Sequence, residues 1–183
     1  TNIVRAMKDF SHPGTEDMIA IDLNRAIEST ITVSHNEWKY VAKMETDFAP
    51  ELPQVSCLPG EINQVILNMI INAAHAISDR VGGEGKSMGT ITVSTRRDGE
   101  WAEIRIRDTG TGIPVEVRSK IFDPFFTTKE VGKGTGQGLA ISHAVVVGKH
   151  GGTIDVESEV GQGTTFIIRI PIESKKIVEE TLR

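Results

Sequence analysis

The chain has 183 residues, enough for one well-packed domain and short for two, and its formal charge of −5 with no basic block argues against a nucleic-acid role. One cysteine, Cys57, excludes an internal disulfide and fits a reducing, cytoplasmic setting. No apolar run approaches the roughly 18 residues of a membrane span, and nothing at the start reads as a signal peptide.

Residues 1–10 carry Ile3, Val4, Met7 and Phe10 at helical spacing and read as the last turns of an amphipathic helix, so the chain is expected to be a fragment of something longer. Ser11-His12-Pro13-Gly14 ends that helix. Asp22 is a candidate cap for a second helix running to about Asn36, with Leu23, Ala26, Ile27 and Ile31 inward. Residues 38–48 alternate as a strand, and residues 52–58 contain a short second one.

Residues 61–79 form a helix opened by Pro59 and Gly60 and closed by the glycine-rich run after Arg80. Ile62, Val65, Ile66, Met69, Ile70, Ala73 and Ile77 make its apolar stripe. Glu61, Asn68, Asn72, His75 and Asp79 make the polar one. An amphipathic surface helix would explain the pattern, but two asparagines one turn apart are mediocre helix formers and point to a bonding task.

Residues 90–97 and 100–107 alternate around Asp98-Gly99, a strong hairpin signal. Residues 114–121 read as a short helix with proline at its first position. Residues 122–137 lack periodicity, residues 139–149 return to helix, and two more strands flank Gly161-Gln162-Gly163 at 152–157 and 164–170. The predicted fold class is α/β, an α+β two-layer sandwich: a mixed sheet of about five or more strands with three main helices on one face.

Three further clusters carry chemistry. Asp108-Thr109-Gly110-Thr111-Gly112-Ile113 can present a carboxylate into a site floored by glycines, where it would accept from an exocyclic amine; it also has the composition of a plain strand exit. Gly132-Lys133-Gly134-Thr135-Gly136-Gln137-Gly138 abuts a helix start, so its N–H groups could converge on phosphate, with Lys129 and Lys133 in the same loop. Its spacing is neither Walker nor Rossmann, and a flexible loop would read alike. Phe122-Asp123-Pro124-Phe125-Phe126 would anchor a closing loop, dock a partner, or form a small satellite core.

In this order the clusters resemble the catalytic and ATP-binding domain of sensor histidine kinases, in the Bergerat-fold ATPase superfamily. Asn68 to His75 matches the N box, Asp108 to Gly112 the first glycine box, Phe122 to Phe126 the F box, and Gly132 to Leu139 the second glycine box. Gly161-Gln162-Gly163-Thr164-Thr165-Phe166 matches the closing turn and strand, and the wording is most similar to kinases of the nitrogen-regulator type. The resemblance implies a domain that binds ATP with Mg2+ and passes the γ-phosphoryl group to a histidine. It assigns Asn72 to the magnesium and Asn68 to the phosphates, and makes these two and Lys129 the catalytic candidates. Asp108 would hold the adenine amine, Gly110 and Gly112 would leave room for the base beside Ile113, and the N–H groups of Gly136, Gln137, Gly138 and Leu139 would cradle phosphate. Phe125, Lys133, Gly134, Thr135 and Thr165 complete the expected nucleotide site, under a mobile ATP lid.

The implied layout is a stub of the dimerisation helix and linker at 1–14, the catalytic domain at 15–172 and a charged tail at 173–183. The expected partners are the chain's own dimerisation and phosphoacceptor domain and a downstream response regulator, with the fragment itself monomeric. His12 lies at a helix end beside Pro13 and does not suit the acceptor. His75 stands where many relatives carry lysine, and is either a phosphate contact or a solvated helix position. The alternatives are another Bergerat-fold ATPase, a serine kinase, or a docking module without catalysis. The hydrolases place a carboxylate where this chain has Asn68, and an amide cannot act as a base.

Overall fold

The computed structural model describes residues 3–5, 7, 17–82, 87–124, 126 and 138–174; the expected lid with Phe125, Lys129, Lys133, Gly134, Thr135, Gly136 and Gln137, together with His12 and the tail from 175, lies outside these. Asp22 caps helix α1 (Leu23–Val33) by accepting from the Arg25 N–H at 3.1 Å, as its sequence position predicts. The expected strand at 38–48 begins late, because a helical turn, α2 (His35–Trp38), takes its first residue. Trp38 Nε1 donates to Ile31 O at 3.3 Å and its ring lies 4.9 Å from His35, which folds that segment back on α1.

Strands β2 (Ala42–Asp47), β4 (Gly89–Asp98), β5 (Trp101–Asp108), β6 (Thr153–Glu159) and β7 (Gly163–Pro171) form a mixed sheet in the order β2-β4-β5-β7-β6, with only β2 and β4 parallel. A separate antiparallel pair joins β1 (Ile19–Ile21) to β3 (Val55–Cys57). Helix α3 (Pro59–Val81) has Pro59 in its first turn and a left-handed Gly82 after its last. Its seven predicted stripe residues are all buried, and apart from Ala73 each gains about 2 kcal/mol from leaving water. They pack on a sheet face built from Ile91 and Val93, Ala102, Ile104 and Ile106, and Phe166, Ile168 and Ile170. No described helix is long and apolar enough to cross a membrane.

Two expected helices differ. Residues 114–121 hold only a 3-10 turn, Arg118–Lys120, because the Arg118 side chain is drawn onto Ile113 O and Ser158 O. Helix α4 (Gly138–His143) runs into a π-helical turn, Ala144–Lys149. The wide turn seats His150, which is buried: its backbone N–H and Nδ1 both reach Val145 O, at 3.1 and 2.8 Å, while Nε2 accepts the Leu58 N–H at 3.0 Å. These bonds require the neutral Nδ1–H tautomer and tie the end of α4 to the start of α3.

On the opposite sheet face Glu103 is fully buried beneath Arg105, Arg96 and Arg169, at 2.7, 2.8 and 2.8 Å. Burial pushes its carboxyl up, but the hydrogen bonds from Arg105, Arg96 and Arg169 outweigh that and hold it at about 2. Its stabilisation is therefore complete above the ordinary value of 4.5 and disappears as pH falls towards 2. Glu103→Gln should cost about 2 kcal/mol at pH 7, because the arginines are partly solvated, and should flatten the acid limb of a urea-unfolding series over that window.

Burial pushes the His150 imidazole below its ordinary value of 6.5. The unfolded chain therefore binds the proton more readily, and stability should fall as pH drops below about 6.5. His150→Gln should remove that slope in the same titration; an unchanged slope would assign it to another group.

Candidate functional site

The polar stripe of α3 lies beside the start of α4. Asn68 is half-buried: its Oδ1 accepts from Gln64 Nε2 at 3.0 Å, and its Nδ2 stands 3.5 Å from Gly138 O. Asn72, one turn on, is half-buried, and His75 is exposed. The arrangement brings Asn68, Gly138 and the first turn of α4, which includes Leu139, to one side of α3.

Asp108 ends β5 on the helix-facing side of the sheet and is buried. Its Oδ1 accepts the Gly110 N–H at 2.8 Å, and the Thr164 N–H also bonds to the carboxylate. Burial pushes its carboxyl up to about 6, with the Gly110 and Thr164 donors opposing the rise. It is an anionic acceptor at neutral pH, held by neutral donors and poised near protonation.

The loop after Asp108 is pinned along its length. Thr109 Oγ1 accepts the Thr90 N–H at 3.0 Å, and Thr109 O accepts from Arg80 Nη1 at 2.8 Å. The Thr111 N–H reaches Ala76 O on α3 at 3.2 Å, and Thr111 O accepts the Gly161 N–H at 2.8 Å. Ile113 donates to Ser158 Oγ at 2.7 Å, while its carbonyl accepts from Arg118. The glycines permit this closeness. A Cβ on Gly110 would stand 2.5 Å from Ala76 Cβ, and Gly112, at φ 76°, lies against Glu159 O. Both therefore serve backbone packing, beyond the room for a base that the sequence reading gives them.

The structure thus brings together Asp108, Gly110, Gly112 and Ile113, and puts Asn68 beside Gly138. It does not bring in Thr165. Strand β7 pairs Thr164 with Asp108 and Thr165 with Arg107, so Thr165 projects from the other face. A one-residue difference on a strand exchanges faces, and the buried hydroxyl beside Asp108 belongs to Thr164. Ser158, Arg118 and Arg80 belong to none of the motifs, and Thr164, although inside the closing one, is not among the expected site residues. The β5–β7 register that identifies Thr164 has no local signature. Phe122 packs at 5.2 Å from the His143 ring of α4, and Phe122 and Phe126 are both partly buried against the main core, so these two residues of the F box join that core rather than a separate satellite.

No described residues form a group of three or more histidines, cysteines, aspartates or glutamates that could hold a metal. An amide such as that of Asn72 is a neutral, hard oxygen donor. It fits a magnesium ion that keeps its waters and takes its remaining oxygens from a phosphate ligand.

The family description "Histidine kinase-, DNA gyrase B-, and HSP90-like ATPase" matches residues 58–174. The chain is 38% identical over 151 residues to Sensor kinase CckA of Brucella abortus, covering 73% of this chain and 15% of that protein. It is 33% identical over 171 residues to Sensor histidine kinase ZraS of Escherichia coli, covering 93% of this chain and 34% of that protein. The chain thus spans about a third or less of the length of these curated relatives. The catalytic domain of histidine kinase ThkA, in a nucleotide-free form, matches with a TM-score of 0.73 at 28% identity, over 85% of this chain and 96% of that one. ThkA in complex with response regulator protein TrrA matches with a TM-score of 0.69 at 24% identity, over 95% of this chain and 47% of that one.

Gly110→Ala should lower stability by about 2 kcal/mol, measured by denaturant unfolding. Adding Ala76→Gly should recover only part of the loss, because the new Cβ also meets the Ala76 carbonyl carbon at 2.6 Å. Full recovery would show that the side chain alone sets the spacing.

Proposed function

Because the chain belongs to the family of histidine kinase-, DNA gyrase B- and HSP90-like ATPases, we propose that residues 15–172 are the ATP-binding catalytic domain of a two-component sensor histidine kinase. In this reading the γ-phosphoryl group of ATP passes to a histidine on a dimerisation and phosphoacceptor domain, and from there to a response regulator. The observation that carries the reading is Asp108, a buried carboxylate given two neutral N–H donors and so left with lone pairs for an amine.

Asp108 orients the adenine through its exocyclic amine, and the pinned loop from Thr109 to Ile113 keeps that orientation without rearrangement. The phosphates run towards Asn68, Asn72 and the start of α4, where the resemblance also places Gly136 to Leu139, Lys129 and Lys133. Asn72 would hold Mg2+, which when bound offsets the phosphate charge. In the transfer step a lone pair on the acceptor imidazole nitrogen forms the new N–P bond as the bond from the γ-phosphorus to the bridging oxygen breaks, and ADP leaves with that electron pair. A neutral imidazole has no proton to surrender first, so the step needs no base at position 68.

Hydrolysis is the second reading, and Asn68 speaks against it. Its amide is engaged by Gln64 and lies against Gly138, and it cannot take a proton from water. The reading puts the domain in the cytoplasm with its ATP supply, as a monomer with no nucleic-acid partner.

Incubation with labelled ATP and the acceptor domain in trans should give acid-labile, alkali-stable label, as phosphohistidine does. Asn72→Ala should reduce that labelling by at least about tenfold; a normal rate would remove the magnesium assignment. ATP affinity should fall as pH drops below about 6, where Asp108 gains a proton and loses its acceptor character. Asp108→Asn should weaken ATP binding at pH 7 and lack that inflection. An identical pH profile in parent and variant would sink the adenine role.

A further inference from the structure

Ser158, at the end of β6, meets three partners with one hydroxyl. The Ile113 N–H donates to its Oγ at 2.7 Å, Gly163 O lies 3.0 Å away, and Thr164 Oγ1 lies 2.8 Å away. Its backbone is held as well: Ser158 pairs with Thr164 in the β6–β7 ladder, and Arg118 donates to Ser158 O and to Ile113 O. The hydroxyl therefore has little freedom to seek other partners.

A hydroxyl has one hydrogen and two lone pairs. Two of the partners have fixed roles, since Ile113 N–H can only donate and Gly163 O can only accept. All three contacts are satisfied in one arrangement alone. Ser158 gives its hydrogen to Gly163 O and takes one hydrogen each from Ile113 and Thr164. Thr164 has then spent its own hydrogen on Ser158, and its Oγ1 offers only a lone pair to anything else. Thr164 is buried and faces Asp108 across the β5–β7 ladder, with its N–H on the carboxylate. Two acceptors then stand together, one charged and one neutral. They attract an amine with two hydrogens and repel a carbonyl oxygen.

We infer that Ser158 is a positioning residue for base selectivity: by holding the Thr164 hydroxyl as an acceptor, it makes the Asp108 site take a purine bearing an amino group and refuse one bearing a carbonyl there. This rests on the adenine-site reading of Asp108 and extends it to a residue that does not touch the base. Without the Ser158 hydroxyl, Thr164 could turn its hydrogen towards the ligand and greet a carbonyl as well as an amine.

The test is the ratio of ATP to ITP affinity in the intact chain, because ITP differs by carrying a carbonyl in place of the amine. The parent should prefer ATP. Ser158→Ala should reduce that preference by about tenfold, the worth of one net hydrogen bond, and Ser158→Thr, which keeps a hydroxyl, should retain it. Thr164→Val should reduce the preference similarly, and the double variant should lose no more than either single one. A merely structural serine would weaken both nucleotides equally, so an unchanged ratio in Ser158→Ala overturns the inference. Should that variant fail to fold, an unchanged ratio in the near-isosteric Thr164→Val overturns it instead. A parent that binds both nucleotides equally would sink the adenine-site reading itself, whereas a selective parent with insensitive variants sinks the role of Ser158 alone.

Discussion

The contact on which the site depends is the approach of the Asp108 loop to helix α3. At Gly110 the backbone lies so near Ala76 that no side chain fits between them, and the next residue hydrogen-bonds to the Ala76 carbonyl. One helix turn earlier on α3 is Asn72, and one turn before that is Asn68. The same close packing that fixes the loop therefore fixes the distance between the end of β5 and the polar stripe. On its other side the loop is pressed against the β6–β7 turn at Gly112, so four elements converge on Asp108 with their backbones as the rigid parts.

Strand β5 shows how one segment can treat two carboxylates in opposite ways. Glu103 and Asp108 are five positions apart, and the period of two puts them on opposite sheet faces. Glu103 meets Arg96 and Arg169 directly across its neighbouring strands, with Arg105 two residues along, and is held at about 2. Asp108 meets only backbone donors among its named partners and is pushed up to about 6. The first group is saturated by charge and has nothing left to bind. The second retains acceptor capacity, and that contrast is what the proposed adenine role of Asp108 rests on.

Much of the layout was legible because it is local. The apolar stripe of α3, the Asp22 cap, the Asp98-Gly99 hairpin and the Pro59 start each depend on residues within a few positions of one another. The asparagine pair and the glycine clusters were readable as chemistry for the same reason. Their order along the chain carries the family resemblance without any tertiary contact. The late start of β2 was not readable, since residues 38–41 alternate as a strand would and were claimed by a turn that Trp38 closes against α1.

The sequence by itself determined which residue types lie where: amides on one helix face, a carboxylate at a strand end, and glycines directly after it; that those glycines are where backbones touch is a tertiary fact. Only the tertiary structure decided which of Thr164 and Thr165 stands beside Asp108, because that follows from the pairing of β5 with β7, some 56 residues apart in register. It likewise placed a π-helical turn after α4, next to His150, which bonds to Leu58 across 92 residues. Side-chain identity and periodicity are written locally, whereas register, burial and proton direction depend on partners that the chain brings together only when it folds.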